Sequence, residues 1–456
     1  MFQHSLAVLA VIVVAFAVAK KLKVSTELSM LLASVAAIIA HVILPMGEDP
    51  RSPLPFVEII RHFVEGGVTY FDVCLLFLSA TLFMSLYNKS GGVTYIVRLI
   101  VDKFSGHRFV LLLLLTAVML VPGAVTGSGA TTVLTVGGLV GTVLMAMGID
   151  NKKIIALIFL LSAMSAACPP VNLWAMMAAA GANMPFVGFT APLAILSIAG
   201  ALFSTFFLAG RGGKAIDKED ALNKLEKAPE GWNAIRAVLP FVVMIGLLIC
   251  CRVFVDNFPV LGQPMIFMLS ALTVILVSPK KFKFREIMDA TVETVYNLRG
   301  LVGIMVVVGI LNQIMTLSGA RGLLSLLVVT LPIAVLFGTL WLILPVAEGV
   351  LQYAVAPLFG VPLIMLFNML GYNPVIALST WAVMLPLGDC LPPTRVVGTA
   401  TVQVMEGILK DENNNAYKCD YYKDFVKTAL IPMLFTLALC TVAMIFNVQF
   451  GALLGG

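Results

Sequence analysis

Ala167-Cys168-Pro169-Pro170-Val171-Asn172 and Cys390-Leu391-Pro392-Pro393-Thr394-Arg395 hold the only two Pro-Pro pairs in the chain. Each pair interrupts an apolar run, and Pro169 and Pro392 lie 223 positions apart. Pro122 and Pro345 keep the same offset of 223, as do Gly148-Ile149-Asp150-Asn151 and Gly371-Tyr372-Asn373-Pro374. Three landmarks on one offset read as a duplicated unit. A proline donates no N–H and clashes with the preceding turn, so a pair of them breaks a helix. In lipid each freed backbone group costs several kcal/mol unless it faces a polar site. Freed carbonyls can hold a cation there, and helix N-termini an anion. A plain kinked helix does not account for two such pairs at equivalent places.

Composition agrees. Of 456 residues, 60% are hydrophobic and 12% charged, whereas a soluble domain carries about 25% charge. Mean hydropathy is +1.03. This excludes an ordinary soluble enzyme, a disordered chain and a nucleic-acid binder, and predicts an all-α polytopic membrane protein. The seven Cys have no metal-ligand spacing and read as small buried hydrophobes. His4, His41, His62 and His107 form no cluster, and neither His-Glu-x-x-His nor Gly-x-Ser-x-Gly occurs, so no enzyme is expected.

Spans follow from the apolar runs. Residues 1–25 form an extra N-terminal helix; its positive charges, Lys20, Lys21 and Lys23, follow the apolar run, unlike those of a signal peptide. Residues 26–209 form a first repeat with a hairpin at 109–147 and a broken helix at 153–182. A cytoplasmic linker covers 210–236 and a further extra helix 237–262. The second repeat, 263–450, has a hairpin at 323–369 and a broken helix at 374–405. Phe56–Val64 reads as interfacial, and Ser90–Arg108 as a helix lying along the membrane surface. Phe109–Val121 is shorter than the ~20 residues a crossing needs, and it ends in Pro122-Gly123-Ala124-Val125-Thr126-Gly127-Ser128-Gly129, the tip of a re-entrant hairpin. The second tip is Pro345-Val346-Ala347-Glu348-Gly349. With both hairpins re-entrant, 24 Lys and Arg fall on one side and 4 on the other, which makes the richer side cytoplasmic. Both termini are then periplasmic, in a bacterial inner membrane, and the repeats are inverted.

Inverted repeats with broken helices mark a secondary transporter. Thr126, Gly127, Ser128 and Gly129 at the first tip, Glu348 and Gly349 at the second, and Asp389 before the second break are the expected ion-binding residues. Hard cations prefer oxygen ligands, and a charge inside a membrane is costly and functional by default. Asn172, Ser128, Thr394 and Arg395 are the expected substrate contacts, with Pro169, Pro170, Pro392 and Pro393 forming the breaks. Arg395 is the one cation placed inside the membrane, and its planar fork suits a carboxylate. The competing reading pairs it with Asp389 or Glu348. A channel is the other non-enzymatic reading, but paired inverted hairpins are rarely needed there.

The segment Thr126–Val133 resembles the Ser/Gly-rich signature of the large membrane subunit of tripartite ATP-independent periplasmic (TRAP) transporters, the DctM-like group of the ion transporter superfamily. Cys168-Pro169-Pro170, Leu391-Pro392-Pro393-Thr394 and Gly371-Tyr372-Asn373-Pro374 are similar to that family's breaks and to its Gly-hydrophobe-Asp-Pro segment. The resemblance covers Tyr70–Phe446. It implies an elevator mechanism and Na⁺-driven uptake of small organic anions such as C4-dicarboxylates. It also implies a small four-helix membrane subunit and a periplasmic substrate-binding protein as partners. Val171 and Asn172 after the first break, and Asp389 and Arg395 around the second, depart from the family pattern. The alternative is a stand-alone, proton-coupled organic-acid carrier or exchanger of the same fold, with Glu348 and Asp389 carrying H⁺. No cofactor beyond the coupling ion is expected.

Overall fold

In the computed structural model, Phe56–Lys89 and Phe284–Leu317 each run for 34 residues. The structure describes residues 2–44, 56–210, 218–254, 256, 258–259, 261–410 and 415–454. The Gly47–Pro53 loop, the Arg211–Asp217 part of the linker and residues 411–414 lie outside the described residues. Among those described, ten helices are long and apolar enough to cross a membrane, and the shorter Gln263–Val277 and Pro374–Cys390 are apolar as well. The chain is thus an all-helical, multi-pass membrane protein.

The two long helices form the frame. Phe56–Val68 and Phe71–Lys89 meet at a turn at Tyr70, and Phe56–Val68 packs along Phe284–Leu317. Their backbones touch where two glycines meet. A Cβ on Gly66 would lie 2.6 Å from Ile310 Cα, and one on Gly309 would strike the Gly66 carbonyl. Small residues at the crossing let the helices approach this closely. Two bridges flank the crossing. Asn312 Nδ2 donates to the Tyr70 hydroxyl at 3.2 Å, and Lys89 Nζ pairs with Glu293 at 2.6 Å. Adding 223 to 70 gives 293, and adding it to 89 gives 312. The neutral bridge and the ion pair therefore occupy equivalent positions in the two repeats.

Each repeat then continues through the same series. Gly92–Phe104 and Ala320–Val329 are short arm helices. Arg108–Thr126 with Gly129–Ala146, and Ile333–Leu351 with Val355–Met369, form the hairpins. Asn151–Ala167 with Leu173–Gly181, and Pro374–Met384 with Val396–Glu406, form the broken helices; a 3₁₀ turn at Leu385–Cys390 precedes the second break. Thr190–Ala209 and Tyr421–Ile445 close the two series.

One expected boundary differs: the second hairpin starts at Ile333 rather than 323. Pro332 lacks the N–H an interior helical position requires, so the chain turns there and Ala320–Val329 becomes a separate arm. The helix Phe284–Leu317 starts within the cation-rich segment Lys280–Arg285; the Glu286 carboxylate accepts from the Lys283 N–H and caps that start. The segment Phe56–Val64 is part of a helix that runs to Val68, and Gly66 near its end packs against Phe284–Leu317.

Candidate functional site

The first tip is held to the first broken helix by one hydroxyl and one backbone hydrogen bond. Pro122 lies inside its helix, and the next N–H, that of Gly123, donates to Ser165 Oγ at 2.8 Å. Ser165 donates its own proton to the Leu120 carbonyl at 2.8 Å. The 2.9 Å contact with Thr132 Oγ1 must therefore have Thr132 as donor. Ser165 is fully buried and fully satisfied. The Val171 N–H, just past Pro170, donates to the Ala124 carbonyl at 3.0 Å. The second tip docks by a related route. Thr394 donates to the Gly349 carbonyl through both its N–H, at 3.1 Å, and its Oγ1, at 2.8 Å. Val171 and Thr394 are equivalent at the 223 offset, as are Ser165 and Gly388. Gly388 has no side chain because the Pro345 carbonyl occupies the place of a Cβ. At this one equivalent position, the first repeat joins tip to break through a serine hydroxyl and the second by backbone approach.

The expected residues divide by what they touch. Thr126 Oγ1 donates to the Pro122 carbonyl at 2.8 Å and accepts from the Ser128 N–H at 3.3 Å. Gly127 turns the chain with φ 65°, and Ser128 caps the helix starting at Gly129 by accepting from the Thr131 N–H at 3.3 Å. Asn172, completely buried, bridges the first break. Its Nδ2 donates to the Ala167 carbonyl at 3.0 Å, and its Oδ1 accepts from the Ala175 N–H at 2.9 Å. Its amide is thus engaged by the two helix ends it joins. Both Pro-Pro bonds are cis.

Glu348 and Asp389 come together from the second tip and the second break. They are 0% and 4% exposed and lie within electrostatic reach of each other. Among the described residues neither side chain pairs with a cation, and both Glu348 oxygens lack a hydrogen bond. Their neighbours are aromatic. The Trp174 indole lies beside Glu348. The Tyr353 ring, 5.2 Å from the Trp174 ring between centroids, also neighbours Asp389, Glu348 and Ser128. The tips and the second break thus meet around two carboxylates, a phenol and an indole.

Arg395 does not pair with Asp389 or Glu348, which corrects the ion-pair reading. Its guanidinium lies 5.2 Å from the Tyr421 ring centroid and 5.0 Å from that of Tyr422, a cation–π shelf. Its Nε is buried without a hydrogen-bond partner. Its backbone is left-handed, φ 48°, directly before the helix starting at Val396. Trp174, Tyr353, Tyr421 and Tyr422 were not expected from the sequence. The available signal was an aromatic residue two positions past Asn172 and another four past Gly349.

Beside the first break, a cavity of about 500 Å³ lies between Pro169-Pro170 and the helix Ala234–Val253, with Arg252 and Gln263 among its polar residues. It is apolar elsewhere and does not reach the carboxylates.

Residues 2–410 match the family model described as DcuC, C4-dicarboxylate anaerobic carrier. No curated protein sequence matches the chain. Among solved structures it is similar to MtrF of Neisseria gonorrhoeae, whose structure illuminates a class of antimetabolite efflux pumps. Identity there is 16%, over 91% of this chain and 93% of that one, with a TM-score of 0.61. It is also similar to the YdaH transporter of Alcanivorax borkumensis, with 13% identity over 92% of this chain and 97% of that one and a TM-score of 0.59. At such identities the likeness shows the fold alone.

Proposed function

The chain belongs to the C4-dicarboxylate anaerobic carrier family, and from that premise we propose that it is a stand-alone, proton-coupled secondary carrier of four-carbon dicarboxylates. The family match replaces the TRAP large-subunit resemblance, so a small membrane subunit and a binding protein are not part of this reading. Substrate binds where the two tips meet the two breaks, and the hairpins and broken helices move together against the frame. Arg395 supplies the cationic contact for one carboxylate. Its unpartnered Nε and its shelf of tyrosine faces leave the guanidinium edge available.

The observation that carries the coupling is the Glu348–Asp389 pair. Two buried carboxylates within reach of each other, with no cationic side chain paired to them among the described residues, must be neutralised by a proton or a metal cation. Of the hydroxyls expected to hold Na⁺, Thr126 Oγ1 makes two hydrogen bonds within the protein and Ser128 Oγ one. Of the remaining neighbours, the Trp174 indole can only donate, and the Tyr353 hydroxyl can donate as well as accept. This favours protons.

The test uses purified protein in liposomes with succinate as substrate. An inward proton gradient should drive accumulation, and an equal Na⁺ gradient should not. Glu348→Gln should retain succinate exchange across the membrane while losing gradient-driven accumulation. Accumulation that follows Na⁺ and ignores pH would move the coupling to Na⁺, and absence of succinate exchange in the wild type would remove the substrate assignment.

A further inference from the structure

Arg98 and Arg321 sit on the two arm helices, and they too are 223 positions apart. Each grips the carboxyl end of another helix, but the helices differ in kind. Arg321 Nη2 donates to the Gly181 carbonyl at 2.9 Å, at the end of the distal half of the first broken helix, while its Nη1 reaches Thr316 Oγ1 at 3.3 Å. Arg98 Nη1 donates to the carbonyls of Leu222, Leu225 and Glu226, at 2.8, 3.0 and 3.2 Å, at the end of the linker helix Lys218–Lys224. Lys218 adds an ion pair to Asp102 on the same arm at 2.9 Å. A guanidinium at a helix C-terminus is favourable twice over, for the free carbonyls and for the dipole.

The offset exposes the asymmetry. The equivalent of Gly181 is Val404, in the last turns of Val396–Glu406. Inverted symmetry would have Arg98 hold that end, as Arg321 holds Gly181. Instead Arg98 holds the linker helix, which is packed against both the Gly92–Phe104 arm and the first hairpin.

We propose that Arg98 and Arg321 are positioning residues that hold the moving half of the carrier at opposite ends of its travel. In the conformation described here Arg321 holds the first broken helix and the linker occupies Arg98. In the opposite conformation Arg98 holds the end of Val396–Glu406, displacing the linker helix, and Arg321 lets Gly181 go. The inference rests on the moving-domain part of the reading above and not on the substrate.

The experiment uses the full chain with its native cysteines replaced, reconstituted in liposomes, and a short bifunctional maleimide. Cysteines at Asn183 and Gly322 report the first grip. Their offset equivalents, at Glu406 and Leu99, report the second. The Asn183/Gly322 pair should cross-link in the resting protein and arrest exchange. The Glu406/Leu99 pair should cross-link only while substrate cycles. Arg321→Gln should shift the ratio of the two cross-links by about tenfold toward Glu406/Leu99, as expected for losing a charged hydrogen bond. Arg321→Lys should restore part of that shift, because it keeps a cationic donor. Exchange that proceeds with no Glu406/Leu99 cross-link would overturn the proposal, as would a ratio indifferent to Arg321→Gln in folded protein. The two wild-type cross-links stand as a test even if a variant at Arg321 fails to fold. If succinate is not a substrate, cross-linking can be read with any transported dicarboxylate, so the two failures are separable.

Discussion

Replacing Ser165 by alanine removes one oxygen and disturbs three residues. The Gly123 N–H loses this acceptor, the Leu120 carbonyl this donor and Thr132 its partner, the first and last of these in a buried place and Leu120 half-buried. Each neutral hydrogen bond contributes about 1 kcal/mol net, and a stranded buried donor costs about 1–3 kcal/mol. Relaxation of the Thr132 hydroxyl recovers part of this, so Ser165→Ala should destabilise the protein by about 2–4 kcal/mol. An internal control lies one turn away. Ser162 is equally buried on the same helix, but its hydroxyl bonds only the Phe159 carbonyl of its own helix, at 2.7 Å. Ser162→Ala should therefore cost about 1 kcal/mol or less. Thr132→Val should cost about 1 kcal/mol alone and add little to Ser165→Ala, since the two share a bond. Thermal unfolding of purified protein in one detergent ranks all four proteins. If Ser165→Ala and Ser162→Ala melt together, the hydroxyl does not hold the tip to the break and the reasoning fails.

Gly309→Ala should destabilise by at least about 1–3 kcal/mol, because its Cβ meets the Gly66 carbonyl rather than a movable side chain; wild-type melting would show that the helices can separate freely. Arg395→Lys should weaken succinate binding about tenfold or more while leaving the melting temperature near that of the wild type, through loss of the planar fork; unchanged affinity in a binding titration would remove the substrate role. Cysteine at Asn183 should react with an impermeant maleimide in intact cells and cysteine at Lys227 should not, as the cation distribution requires; the reverse pattern would invert the orientation.

The frame was readable because its markers are local. A Pro-Pro pair breaks a helix whatever surrounds it, and an offset of 223 needs only counting. The boundary at Pro332 was missed because the apolar run continues through it, and hydropathy averages over a single proline. The site was readable only in part. Glu348 and Asp389 stand out as carboxylates in apolar surroundings, but their meeting with Trp174 and Tyr353 depends on packing between repeats, which no spacing records. Asn172 shows the limit most clearly. The sequence shows a polar residue past a break, but not that its amide joins the two helix ends. Arg395 is similar: its partners, Tyr421 and Tyr422, lie in the segment that opens the last span.

The bridges at the two ends of the frame share positions but not chemistry. Lys89 and Glu293 keep 37% and 56% of their side-chain surface exposed, whereas Tyr70 and Asn312 are buried. Dissolved salt screens exposed charges over about 10 Å at 0.1 M and leaves a buried neutral hydrogen bond nearly untouched. The frame is therefore even in shape and uneven in its response to the surrounding solution. Rising ionic strength loosens one end and not the other, so a duplicated architecture acquires a direction that its geometry alone does not contain.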